Sequence, residues 1–183
     1  MASPALGTLD WRPAADHREL LAEPVAVAIE RGLDCYVAAI DPELADTAAF
    51  CAAYAVPLEV SANCVVVEGR RGAVVTMAAC LVLATDRADV NKTVRKQLDV
   101  RKISFASMDT AVSQTQMQYG GITPLGLPPD WPVLVDTAVA AADWLVIGSG
   151  IRGSKIAISG AALAGLPGAI VLELAQPSRL PTL

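Results

Sequence analysis

The ten residues Tyr119-Gly120-Gly121-Ile122-Thr123-Pro124-Leu125-Gly126-Leu127-Pro128 set three glycines and two prolines between apolar segments. Adjacent glycines admit positive φ and a close approach to a ligand, while Pro124 and Pro128 hold the loop in one conformation and lower the entropy cost of ordering it. A loop of this kind can aim backbone N–H groups inward. A second glycine-rich segment, Gly148-Ser149-Gly150-Ile151-Arg152-Gly153, follows an apolar run, and a third polar segment, Ser61-Ala62-Asn63, precedes Cys64 and a run of valines.

Side-chain chemistry is narrow by comparison. His17, the one histidine, stands in a polar stretch beside Asp16, Arg18 and Glu19, so zinc sites, Ser-His-Asp triads and imidazole acid-base pairs lack their essential group. The four cysteines, at 35, 51, 64 and 80, are too widely spaced for a Cys-x-x-Cys motif and lie in apolar contexts, which reads as buried free thiols. Cys64 has no histidine to lower its pKa and is read as a core thiol rather than a nucleophile. No metal or cofactor is expected. Backbone donors are the catalytic apparatus that remains.

The elements that must position these segments alternate along the chain. Residues 20–32 read as a helix stopped by Gly32, and 35–40 as a strand. A helix over 46–54 follows the capping residue Asp46 and cannot pass Pro57. Val65-Val66-Val67 and 73–84 read as a hairpin joined by the four-residue loop Gly69-Arg70-Arg71-Gly72, and their continuous apolarity suggests strands covered on both faces. Asp89 caps a helix over 90–98, then come a strand over 102–106 and a helix begun by Ser107. Beyond the glycine-proline loop, 132–135, 144–147, 155–158 and 169–173 read as strands, with a helix from Gly160. The first 20 or so residues, with Pro4, Trp11 and Pro13, read as an arm packed on the domain. The expected fold is α+β: a single domain over 1–183 with a central mixed, largely antiparallel sheet or partly closed barrel surrounded by helices.

At 183 residues the chain fits one core, and its 54% hydrophobic content includes no uninterrupted apolar run of the ~18 residues that cross a bilayer. Thr76 interrupts 73–84, and Pro167-Gly168 breaks 160–175. The N-terminus lacks a basic segment followed by an apolar core, so a cytoplasmic location without membrane attachment is expected. A net charge of −5 argues against a broad nucleic-acid-binding face. Locally the balance reverses: between Asp86 and Lys102 stand Arg87, Lys92, Arg95, Lys96, Arg101 and Lys102 against Asp86, Asp89 and Asp99. That stretch is either a solvated helix face or a phosphate-contacting patch.

The order of three motifs resembles the YbaK family: Ser61-Ala62-Asn63-Cys64-Val65-Val66-Val67, then Gly120-Gly121-Ile122-Thr123-Pro124-Leu125-Gly126, then Gly148-Ser149-Gly150-Ile151-Arg152-Gly153. The resemblance covers about residues 46–175. This family is similar to the editing domain inserted in bacterial prolyl-tRNA synthetases, and it includes free-standing deacylases that hydrolyse wrongly charged aminoacyl-tRNA. The glycine-proline loop is the most specific element. Asn63 stands where many members carry a lysine tied to substrate handling, and asparagine offers hydrogen bonds there without charge.

The resemblance implies a pocket for the 3′ end of an aminoacyl-tRNA, with Asn63, Gly120 and Gly121 in catalytic positions and the N–H groups of both glycines facing the oxyanion. Hydrolysis of the activated ester then needs a positioned water, which the family organises through the free hydroxyl of the terminal ribose. Ser61, Ile122, Pro124, Gly126, Ser149 and Gly150 are expected as substrate-binding walls. Asn63 is otherwise a satisfied polar group at a strand end. Thr123 either bonds substrate or caps its loop; Asp136 either orients a substrate ammonium or caps a helix. Arg152 either contacts an RNA phosphate or is an exposed arginine after a tight turn. Lys155 and Lys102 are the candidates to replace the family lysine in space. The implied activity is trans-editing deacylation; the alternatives are a non-catalytic binder of aminoacyl-tRNA or of an amino-acid-like ligand, and an interaction domain that forms oligomers, with a homodimer left open.

Overall fold

The computed structural model describes residues 4–177. Strand β1 (Arg12–Pro13) pairs antiparallel with β2 (Tyr36–Ala39), which ties the N-terminal segment to the body of the protein, and Trp11 beside it is buried. Helix α1 (Glu23–Glu30) lies between them with proline in its first turn, and Gly32 at φ 105° turns the chain away. It starts later than expected because Arg18–Leu20 form a separate 3-10 turn and Leu21 is extended. Helix α2 (Thr47–Tyr54) follows Asp46, whose side chain makes no capping hydrogen bond. The left-handed Ala55 and then Pro57 end it.

Strands β3 (Ala62–Arg71) and β4 (Val74–Leu83) form the expected hairpin, in unbroken register from Ala62 opposite Leu83 to Arg71 opposite Val74. Its connection is the two residues Gly72-Ala73, shorter than the four-residue loop expected. Gly69 stays in the strand for a packing reason, since a Cβ there would lie 2.8 Å from Val100 Cγ1. Next come β5 (Asp86–Ala88), a π-helical turn over Val90–Val94, and the short α3 (Arg95–Gln97). Asp89 caps this segment as expected, accepting from the Thr93 N–H, but the regular helix expected over 90–98 is broken in two. Strand β6 (Lys102–Phe105) and helix α4 (Met108–Thr115) follow, the latter capped by Ser107 Oγ.

The remainder alternates β7 (Val133–Asp136), α5 (Thr137–Ala140), β8 (Leu145–Gly148), β9 (Ser154–Ile158), α6 (Gly160–Ala164), β10 (Ala169–Leu172) and β11 (Ala175–Pro177). Two principal sheets result. One has the order β1-β2-β9-β8 and is antiparallel throughout; the other, β10-β7-β4-β3-β6, is mixed, with β7 parallel to both β10 and β4. The small pair β11-β5 stands beside them. The fold is thus mixed α+β, and no closed barrel forms among the described residues.

Buried apolar clusters among the described residues hold this arrangement. Between the two sheets, Leu81, Val133 and Val135 meet Ile147, Ile156 and Ile158, with Val25 and Ile29 of α1 closing the layer. The outer face of the antiparallel sheet is covered by Phe50 and Cys51 of α2, and that of the mixed sheet by Val90 and Val94. Burial of each such side chain contributes roughly 1.5–3 kcal/mol.

The sheets touch at one place that matters for function. Ser61 forms a parallel bridge with Val146 of β8, whereas β6 does not pair with β3 until Val67. The edge of β3 facing β6 and β8 is open between them. The Ser61 carbonyl accepts from Ala84 N–H on the β4 side, and the Val66 carbonyl accepts from Ala106 N–H on the opposite side. Backbone groups alternate along a strand, so Cys64 directs its N–H and C=O off the open edge.

Candidate active site

A cavity of about 690 Å3 fills the gap at this open edge, between α2, β3, the ends of β6 and β8, and the loop at 119–122. Ser61, Asn63, Gly120, Ile122 and Arg152, all expected at the site, line it together, and so does Lys155. Thr47 Oγ1 donates to Asn63 Oδ1 at 2.8 Å. That bond fixes the amide orientation and leaves the Asn63 NH2 as the donor toward the cavity. Ser61 is buried, with its hydroxyl 3.4 Å from Cys51 Sγ.

Lys155 is the polar feature of the site with the least ordinary surroundings. It is 7% exposed, in the centre of the antiparallel sheet, and forms no ion pair among the described residues. Its Nζ donates to the Ala45 carbonyl at 2.8 Å and sits 5.2 Å from the centre of the Phe50 ring. Burial pushes its pKa below the usual lysine value; the Cys51 thiol and Asp46 carboxylate oppose that shift and Arg152 adds to it. An ammonium offers three donors, and Ala45 takes one. Lys102, the other candidate, is exposed on β6 and does not line the cavity.

The two glycine loops are laced together. Gln118 N–H donates to Gly150 O at 2.8 Å, Gly150 N–H to Gly121 O at 2.8 Å, and Gly121 N–H to Gln118 O at 2.9 Å. The expectation that Gly121 presents its N–H to an oxyanion therefore fails, because that donor closes a turn. A side chain at Gly121 would meet the Ile151 carbonyl oxygen at 2.5 Å, so glycine is required there by backbone packing. Gly120 does face the cavity, at φ 88°, with the Arg152 guanidinium beside it. Arg152 reaches across to Pro42 O at 2.9 Å and Tyr119 O at 3.4 Å, and its N–H donates to Gln118 Oε1. It clamps the rim of the cavity while leaving guanidinium donors over.

Other expected residues lie elsewhere, each for a visible reason. Ser149 is buried and bonds to Ser154 and to the Ile151 carbonyl; Gly150 packs against Ala22 and Val25. Asp136 Oδ1 accepts from the Ala138 N–H, and its Oδ2 accepts from Leu174 and Ala175, so it ties α5 to the C-terminal segment. Thr123 is fully buried, with its hydroxyl unpartnered among the described residues. Pro124 and Gly126 face a second, smaller cavity of about 270 Å3 beside α1. The loop thus divides: Tyr119, Gly120 and Ile122 border the large cavity, while Gly121 and 123–128 anchor it.

Several lining residues were not among the expected ones: Asp46, Thr47 and Phe50 from the start of α2, Phe105, Tyr119, and the open edge at Cys64. The Cys64 thiol is pushed up by burial and is no nucleophile. Among the described residues no cluster of His, Cys, Asp or Glu could hold a metal ion, and no helix is long and apolar enough to cross a membrane.

Fold and cavity together define a small α+β domain whose pocket mixes apolar walls with the polar groups of Asn63, Arg152 and Lys155. Residues 41–166 match the aminoacyl-tRNA editing domain, and the chain belongs to that family. The matched region contains every residue that lines the large cavity. Among solved structures, the chain is similar to "hypothetical protein APE2540", at 21% identity and a TM-score of 0.74, covering 84% of this chain and 100% of that one. It is also similar to "a putative trans-editing enzyme for prolyl tRNA synthetase", at 20% identity and a TM-score of 0.72, covering 85% and 96%. At these identities the likeness is one of fold.

Proposed function

We propose that the chain is a free-standing, trans-editing aminoacyl-tRNA deacylase of the cytoplasm. The observation that carries the reading is Lys155, a buried lysine that forms no ion pair among the described residues and lines the same cavity as Asn63. Burying a charge without a counter-ion is unfavourable by several kcal/mol, and such groups concentrate where a ligand supplies the opposite charge. Lys155 takes over from β9 the role that a lysine on the first core strand has elsewhere in the family.

In the reaction water adds to the ester carbonyl, the bond from that carbon to the ribose oxygen breaks, and the products are the free amino acid and the tRNA 3′ hydroxyl. The attacking water is organised by the neighbouring ribose hydroxyl. The chain's part is to hold the ester and stabilise the negative charge that develops on its oxygen. Lys155 Nζ, the Asn63 NH2 and the Cys64 N–H are the donors in place of Gly121, and one such donor is worth roughly 3 kcal/mol. Asp46, exposed at the rim and without a capping bond, receives the substrate ammonium. Ile122, Val146 and Ile147 limit the amino-acid side chain, with each methylene discriminated by about 1–3 kcal/mol.

The test is a panel of mischarged tRNAs incubated with purified protein. Release of at least one amino acid above the spontaneous rate is expected, and no release from any member contradicts the proposal. The second reading, a non-catalytic binder, draws on Asn63, an uncharged residue held by Thr47. It requires binding of a non-hydrolysable aminoacyl-adenosine analogue without any turnover of the matching ester.

A further inference from the structure

The basic stretch at 87–102 has no part in the pocket itself, and its disposition is unusual for a chain of net charge −5. Lys92, Arg95, Lys96, Arg101 and Lys102 are all exposed, and none of them forms an ion pair among the described residues. The acids nearest in sequence are engaged elsewhere. Asp89 caps the π-helical turn through Thr93, and Asp99 pairs with Arg71. The positive charge of this segment is therefore not neutralised locally.

Strand β6 connects that charge to the pocket. It is the outermost strand of the mixed sheet, and it runs from Lys102 to Phe105, about 10 Å at the usual rise per residue. Phe105 lines the cavity yet is 64% exposed, and Tyr119, from the facing loop, lines it and is 59% exposed. Two aromatic rings at the mouth of a polar cavity, left largely in water, have apolar faces for a planar ligand to cover. Stacking of this kind is how proteins hold splayed single-stranded bases, while neighbouring lysines and arginines track the phosphates.

We propose that β6 and the preceding basic segment are the docking track for the single-stranded 3′ end of the RNA. The terminal adenine stacks on Phe105 and Tyr119, and the phosphates behind it run along Lys102 and Arg101 toward Lys92, Arg95 and Lys96. This rests on the reading of the pocket as an aminoacyl-ester site, but its binding step stands apart from hydrolysis. The rest of the chain carries more acidic than basic residues, which disfavours RNA elsewhere.

The experiment measures binding of uncharged tRNA by fluorescence anisotropy across a salt series, and in parallel hydrolysis of a mischarged tRNA and of the corresponding aminoacyl-adenosine, which has no phosphates. For the variant K92E/R95E/K96E/R101E/K102E, tRNA affinity is expected to fall by about tenfold or more, with a flatter salt dependence. Its turnover of aminoacyl-adenosine is expected to stay at the wild-type level, which also reports an intact fold. Phe105→Ala is expected to weaken both tRNA and aminoacyl-adenosine. Wild-type affinity and salt slope in the charge-reversed variant, or no tRNA binding by the wild type, overturns the track; an unchanged Phe105→Ala overturns the stacking. Retained tRNA binding with no hydrolysis of any ester overturns the deacylase reading and leaves the track standing.

Discussion

Lys155 and Asn63 face one cavity with opposite histories in the sequence. Lys155 stands at the start of the strand, before Ile156-Ala157-Ile158, and is legible as a candidate to replace the family lysine in space. What could not be read was its direction, because only the pairing of β9 with β2 and β8 turns the side chain toward Phe50 and Ala45. The depressed pKa gives a signed expectation. Between its folded value and the ordinary lysine value, the folded state binds fewer protons than the unfolded state, so the Lys155 contribution to stability improves as pH rises through that window. In the proposed reading ligand binding runs the other way, since there the charged form is the one that meets the ester. The affinity of the non-hydrolysable analogue is expected to weaken on the alkaline side, with a midpoint below the ordinary value of 10.5, and Lys155→Arg is expected to lose that limb. Titration of analogue binding by calorimetry checks this; the same alkaline limb in both proteins contradicts it.

At the scale of elements, the glycine-proline loop was legible as a rigid segment, and its division of labour was not. Glycine type alone does not say whether space is needed for a ligand or for another strand of backbone. Gly120 borders the cavity, whereas Gly121 faces the Ile151 carbonyl, a contact between segments far apart in sequence. Gly121→Ala is expected to destabilise the protein by about 2–3 kcal/mol, within the range of severe backbone clashes. Gly120→Ala meets only the flexible end of Arg152 and carries a positive-φ strain of about 1–2 kcal/mol. Urea unfolding of the two variants checks the order, and a more stable Gly121→Ala than Gly120→Ala contradicts it. Caps were legible where a side chain competes for the first turn, as at Asp89 and Ser107. At Asp46 the residue type suits a cap, yet its carboxylate makes no capping hydrogen bond and the residue lines the cavity.

On the scale of the whole molecule, the mixed α+β class and the order of elements followed from periodicity and turn residues, because these are local properties. The split into two sheets did not, since it depends on which strands find each other across the chain: β2 joins β9 and β8, while β7 inserts beside β4. The open edge of β3, where Cys64 points its backbone groups, is a consequence of that split, and no residue pattern announces it. The pocket exists because β6 and β8 stop short of each other along β3, and the donor set follows from what those three strands bring to the gap. In the proposed reading, the donors that meet the ester come from β3 and β9 jointly, with the charge on the second.

Single-turnover deacylation of a mischarged tRNA by wild type and by Lys155→Met, with unfolding free energies measured alongside, tests that assignment most directly. Met conserves the apolar stem and removes the buried charge. The rate is expected to fall by about a hundredfold, the scale of losing one oxyanion donor, while the fold becomes more stable by about 1 kcal/mol or more. A Lys155→Met protein that deacylates at the wild-type rate would contradict it.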